Sequence, residues 1–155
     1  SEEVGLRGGR TATHQLQPDL AIVLDTACWA KNFDYGTANH RQIGKGPMLV
    51  LSDKSLIAPA KLTQWVEEIA AREKIALQLD MFSNGGTDGG AVHLNGRGVP
   101  TLVMGLATRY GHCAASIADC HDIVQTQQLL SALIHDLTQD TFTHLTDFRC
   151  QHNGC

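Results

Sequence analysis

Pro18-Asp19-Leu20-Ala21-Ile22-Val23-Leu24-Asp25-Thr26 is the stretch that decides the fold. Its aliphatic run, Leu20 to Leu24, is opened by Pro-Asp and closed by Asp-Thr and shows no polar alternation. That is the pattern of a strand buried on both faces of a sheet. Asp25 then stands at the strand's carboxyl end. Met48 to Leu51 repeats the pattern between Gly44-Lys45-Gly46-Pro47 and Ser52-Asp53. Ala76 to Leu79 and Val99 to Met104 read as two further strands, the latter after the turn residues Asn95-Gly96-Arg97-Gly98.

Helices fall between these strands. Leu62, Val66, Ile69 and Ala70 recur at helical spacing and predict an amphipathic helix over Pro59 to Lys74. Pro59 stands where a first turn tolerates it, and Arg72 and Lys74 lie near the negative end of the dipole. Ile123, Leu130, Leu133, Ile134 and Leu137 line one face of a second helix, which starts near Asp119 to Asp122 and ends before Thr141. Cys28 to Arg41 mixes aromatics, Asn and Gly without a period and reads as a loop. Strands alternating with helices predict a layered α/β sheet.

Composition narrows the function. The 155 residues are 43% hydrophobic, 18% charged and 5% aromatic, which describes one ordinary soluble domain and excludes disorder, collagen and coiled coil. Lys and Arg number 12 against 16 Asp and Glu, a formal charge of -4, and no basic run could track phosphates, so no nucleic-acid partner is expected. No aliphatic run nears the ~18 residues of a membrane span and no leader opens the chain, so a cytoplasmic protein without membrane contact is expected. Cys28, Cys113, Cys120, Cys150 and Cys155 are odd in number and irregularly spaced, which argues against a disulfide framework. Residues 150–155 are polar and aperiodic and read as a tail. The first residue is Ser, and the chain reads as beginning inside something larger.

Common catalytic motifs are missing. Gly44-Lys45-Gly46 lacks the hydroxyl residue of a phosphate loop, Gly85 to Gly90 misses the dinucleotide spacing, and neither G-x-S-x-G nor H-E-x-x-H occurs. What remains is carboxylate and imidazole. Adjacent acids such as Glu2-Glu3 can serve one site only on a bend, which Val4-Gly5 and Gly8-Gly9 could make; the alternative is a solvated acidic terminus. Asp25 stands where open α/β sheets collect ligands, or else caps a helix or anchors a loop. His112, in Arg109-Tyr110-Gly111-His112-Cys113, follows the Val99 strand closely and could project from the same edge as Asp25. Carboxylate with imidazole suits Zn²⁺, Co²⁺ or Mn²⁺. Asn84 to Gly90 allows close backbone approach to a ligand, or simply turns the chain. His112, Cys113, Cys120 and His121 form a further imaginable zinc cluster, at no known finger spacing.

Taken together, Glu2-Glu3-Val4-Gly5-Leu6-Arg7-Gly8, Leu24-Asp25-Thr26, Gly85-Gly86-Thr87-Asp88-Gly89 and Arg109-Tyr110-Gly111-His112 resemble, in order and spacing, the M42 family of metallo-aminopeptidases. Cys28-Trp29-Ala30-Lys31-Asn32-Phe33-Asp34-Tyr35-Gly36 resembles its frv operon branch. The resemblance implies a three-layer α/β/α zinc-peptidase (phosphorylase/hydrolase-like) fold, here incomplete: residues 1–149 would be the C-terminal portion of the catalytic domain.

Position by position, Glu2 resembles the general base that deprotonates a metal-bridging water. Glu3 and His112 resemble ligands of one metal, and Asp25 a ligand of the second. Gly86, Thr87 and Asp88 are assigned to substrate, near its free amine. The resemblance implies two divalent ions, Zn or Co, peptide substrates and a homo-oligomer. Family members also carry an earlier His-x-Asp motif, a bridging Asp and an inserted β-rich domain, none of which is in this sequence. It is therefore expected to hold one ion or none and to be a poor peptidase alone. Competing readings are an endoglucanase-like glycosidase using two of Glu2, Asp25 and Asp88, and a non-catalytic remnant or subunit.

Overall fold

A computed structural model describes residues 1–28, 41–81 and 85–148. The chain opens with a 3₁₀ turn (Glu2–Val4) and helix α1 (Arg7–Leu16). There follow β1 (Ala21–Cys28), β2 (Met48–Ser52), α2 (Ala60–Arg72), β3 (Gln78–Met81), the short α3 (Gly89–Val92), β4 (Thr101–Arg109), β5 (Ile117–Ala118), α4 (Cys120–Asp136) and α5 (Gln139–Thr146). The loop read over Cys28 to Arg41 falls outside the described residues except at its two ends, as do Asn84 and the tail at 150–155.

The strands form one mixed sheet in the order β1-β4-β2-β3, with β5 against β4. β1 runs parallel to β4, with Asp25 opposite Gly105, and β2 runs parallel to β3, while the β2–β4 pairing is antiparallel. The carboxyl ends of β1 and β4 therefore share one edge, the edge from which the Arg109 to Cys113 turn departs.

Helices cover both faces. On one, Leu49, Leu102 and Met104 pack against Leu62, Trp65, Val66 and Ile69 of α2, Leu129 and Leu133 of α4, and Leu145 of α5. Burying each large aliphatic side chain here contributes about 1.5–3 kcal/mol. On the other face, Val50, Val103 and Leu56 meet Val23, and α3, with α1 packed on it, lies over β1 and β4. This is the three-layer α/β/α architecture expected from the sequence. No helix among the described residues is long and apolar enough to cross a membrane.

The differences from expectation have physical causes. β1 is not buried on both faces: among the described residues it pairs only with β4, and Leu24 is 54% exposed. Asp25 lies within the strand, which continues to Cys28. Gly8 and Gly9 sit inside α1, and the bend comes from Gly5 (φ 100) and Leu6 (φ 55). α4 starts and ends where expected, but Ile123 and Ile134 of its expected apolar face are exposed, and a further helix follows: Thr138 is extended and accepts a bond from Thr141 N–H at 3.2 Å, capping α5. β3 begins two residues later than the run that predicts it, and β4 extends further, to Arg109.

Candidate active site

The acidic pair at the start of the chain is held by local backbone geometry. Gly5, in the left-handed region that favours glycine, ends the 3₁₀ turn, and its N–H returns to Glu2 O. Ser1 O and Glu2 O accept from Arg7 and Leu6, so the acids ride directly on the start of α1. Glu3 Oε1 lies 2.9 Å from His112 Nε2, both side chains being largely exposed. His112 reaches this position because the Tyr110–Cys113 turn, closed by Cys113 N–H to Tyr110 O at 3.2 Å, sets both Tyr110 and His112 at φ 60. The Arg109 guanidinium stacks 5.4 Å above the Tyr110 ring.

Asp25 is half-buried, its Oδ1 accepting the Thr26 N–H at 2.7 Å. Burial pushes its carboxyl above the ordinary range; the Thr26 bond works against this, and the charges of Asp88 and Glu3 add to it. Glu2 is raised as well, first by burial and then by Glu3, Asp25 and Asp88, with His112 opposing. Glu2, Glu3, Asp25, Asp88 and His112 thus lie within electrostatic reach of one another.

The glycine-rich loop is anchored from below. Asp53, just past β2, accepts from Ser55 N–H, Ser55 Oγ–H and Leu56 N–H through Oδ1, and from Thr87 Oγ–H at 2.9 Å through Oδ2. Thr87 is therefore buried, with its hydroxyl committed inward, and it positions the loop. Gly86 is exposed. Asp88 opens α3 against α1, and a Cβ on Gly9 would lie 2.8 Å from Asp88 Oδ1. That oxygen is buried without a hydrogen-bond partner among the described residues.

Sequence reasoning brought together Glu2, Glu3, Asp25, Asp88 and His112, but not the groups beneath them. It missed Asp53, whose signal was its place after the β2 run with Ser two residues on. It also missed the ion pair of Arg41 Nε with Asp80 Oδ2 at 2.8 Å, almost wholly buried, in which Arg41 also reaches Cys28 O at the end of β1. His112, Cys113, Cys120 and His121 are not gathered: among the described residues no three His, Cys, Asp or Glu side chains converge closely enough to hold a metal ion.

Whether these residues fit a metal pair turns on kind and number. In kind they fit: hard carboxylates beside an imidazole, with two carboxyls raised first by burial and then by neighbouring negative charge, favour a divalent cation. In number they fall short of the three protein ligands typical of a catalytic ion, since the described residues bring together one Glu–His pair and, apart from it, Asp25.

The family model described as M42 glutamyl aminopeptidase matches residues 1–129. The chain is 33% identical over 153 residues to the FrvX protein of Escherichia coli (strain K12), covering 96% of this chain and 42% of that one. It is 33% identical over 147 residues to the glutamyl aminopeptidase of Lactococcus lactis subsp. cremoris, covering 95% and 40%. Its structure is similar to the TET aminopeptidase of the marine sediment archaeon Thaumarchaeota archaeon SCGC AB-539-E09, with TM-score 0.89 and 35% identity over 94% of this chain and 40% of that one. The chain spans about two-fifths of the length of each of these relatives.

Proposed function

The chain belongs to the M42 glutamyl aminopeptidase family, and from that premise we propose that it carries the general-base side of an aminopeptidase site. The reaction is removal of N-terminal residues from peptides. Residues 1–149 are taken as the C-terminal portion of the catalytic domain, with 150–155 as a polar tail. The observation that carries the reading is the Glu3–His112 contact at 2.9 Å, with Glu2, Asp25 and Asp88 near enough to bear on one another's charge.

Glu2 is the proton carrier. A carboxyl raised above its ordinary range is a better match for taking a proton from water and returning it to the leaving amine near neutral pH. Glu3 and His112 offer two donors to one divalent ion and Asp25 one donor to another, zinc or cobalt by donor type. Bound ions would supply Lewis-acid polarisation of the scissile carbonyl. Gly86 gives backbone access to the substrate, Thr87 holds the loop in place, and Asp88 faces the free amine. The remaining donors come from outside the described residues. A homo-oligomer is supported by the similar TET1 peptidase of Pyrococcus horikoshii, which can assemble into a tetrahedron or a large octahedral shell, and a cytoplasmic setting by the free thiols Cys28, Cys113 and Cys120.

The short donor set also favours a second reading, a subunit that retains the sheet but does no chemistry. Hydrolysis of a leucyl anilide with added zinc or cobalt separates the two. A trace, metal-dependent rate lost in Glu2→Gln and absent on the N-acetylated anilide is expected. A rate indifferent to Glu2→Gln, or equal on the acetylated substrate, would refute the aminopeptidase reading. No rate under any metal favours the subunit. A robust rate lost in Glu2→Gln would show that the donor set is sufficient.

A further inference from the structure

Glycine stands one residue early in the turn that presents His112. In the Tyr110–Cys113 turn the third position is His112, at φ 60, a left-handed conformation that usually falls to glycine. Gly111, in the second position, lies outside that region, so its backbone does not call for glycine. Its neighbours do. A Cβ at position 111 would lie 3.3 Å from Cys28 Cβ and 3.9 Å from both Cys28 Sγ and Thr108 Oγ1, a spacing at which one side must give. Cys28 ends β1 opposite Thr108 of β4, and Thr108 and Arg109 pair along their other edge with Ala118 and Ile117 of β5. The turn therefore leaves β4 between two strand ends and rests, on the β1 side, against Cys28.

Such a seat is needed. Tyr110 and His112 both hold φ 60, a strained arrangement for residues with side chains, and it persists only where the surroundings fix it. The Glu3–His112 contact is largely exposed and too weak to do so. Resting on the reading of His112 as a metal donor, we propose that Cys28 is a positioning residue for His112. Its side chain is the floor on which Gly111 lies, and the close approach of the two sets the turn that aims the imidazole at Glu3. Glycine at 111 is thus explained by the seat beneath it, and a small side chain at 28 by the turn above.

The test reads the His112 ring resonances of the isotopically labelled chain, with zinc retention by equilibrium dialysis beside them. Gly111→Ala crowds the contact from the turn and is expected to shift the ring resonances and weaken zinc retention about tenfold. Cys28→Gly in the same chain removes the opposing Cβ and should return both to the parent's values, although it adds a second substitution. A role in stability alone predicts the reverse, a double variant worse than either single one. If Gly111→Ala fails to fold, the contact is crowded from β1 instead: Cys28→Ser, near the native size, should leave the ring resonances in place, and Cys28→Val should move them. Ring resonances unmoved by Gly111→Ala or Cys28→Val, or moved by Gly111→Ala and not restored by Cys28→Gly, overturn the proposal. Resonances that follow the expected pattern while zinc is retained by no variant, the parent included, would keep the seat and fail the reading of His112 as a metal donor.

Discussion

Glu3 and His112 meet at 2.9 Å, a contact that ties the first turn of the chain to the turn after β4. Both side chains are largely exposed, so their pairing adds little stability, on the order of 0–1 kcal/mol. Glu3→Gln should therefore leave thermal unfolding almost unchanged while lowering zinc or cobalt affinity about tenfold or more, since one of two close donors is lost. Equilibrium dialysis with elemental analysis, run beside thermal melts, measures both. Unchanged metal retention in the variant would remove Glu3 from the donor set.

Asp25 makes a prediction of opposite sign. Its carboxyl is raised by burial, so the folded state binds the proton more tightly than the unfolded chain does. For a raised acid, stability falls as pH rises from the ordinary carboxylate value through the folded one, and the penalty is fully present above that. Asp25→Asn should stabilise the protein at neutral pH, by no more than about 1 kcal/mol, and the gain should fade as pH falls toward the ordinary carboxylate range. Urea midpoints for both proteins from acid to neutral pH decide it. A destabilised variant at neutral pH would mean that the carboxylate is held by a stabilising contact.

How much of this was legible in the sequence follows from periodicity. The runs at Met48 and Val99 and the spacing of Leu62, Val66 and Ile69 report burial directly, and the run at Leu20 reports a strand; all of those elements form. Arg7 to Leu16 has two glycines and few apolar residues; its basic face, Arg7, Arg10 and His14, lies opposite Gly9 and Thr13, and α1 is held by packing on α3 and the first turn, which aliphatic periodicity does not announce. The exposure of Leu24 was equally hidden, because an aliphatic run does not say whether a second neighbouring strand is present. Glu2, Asp25 and His112 were readable as a set only through the resemblance in order and spacing. Asp53 was signalled only as the residue that turns the chain after β2, not by its bond to Thr87, and nothing local announced the Arg41–Asp80 ion pair.

Asp122 is the buried acid on which the approach to β2 depends. Fully buried in the first turn of α4, it accepts from Gly44 N–H and Gly46 N–H, both at 2.7 Å. Asp122→Ala strands two backbone donors, each costing about 1–3 kcal/mol when left unsatisfied. A loss of about 2–4 kcal/mol in urea denaturation is expected, with Asp122→Asn recovering part of it. A loss below about 1 kcal/mol would show that water replaces the carboxylate.

The two glycines of α1 separate helix propensity from packing. In an open helix, Gly→Ala gains about 1 kcal/mol at either position. At Gly8 a new Cβ would come within 2.9 Å of Ser1 Oγ, the far end of a short side chain, which can rotate away. At Gly9 it would meet Oδ1, Cγ and Cβ of Asp88 at 2.8, 2.9 and 3.1 Å, and Asp88 is confined by the loop that Thr87 and Asp53 lock in place. Gly8→Ala should therefore raise the melting temperature and Gly9→Ala lower it. Only Gly9→Ala should disturb the amide resonances of the Gly86 to Gly90 loop. If both variants stabilise the protein and leave that loop unmoved, α1 does not press on Asp88, and the glycine at position 9 has no role in shaping the site.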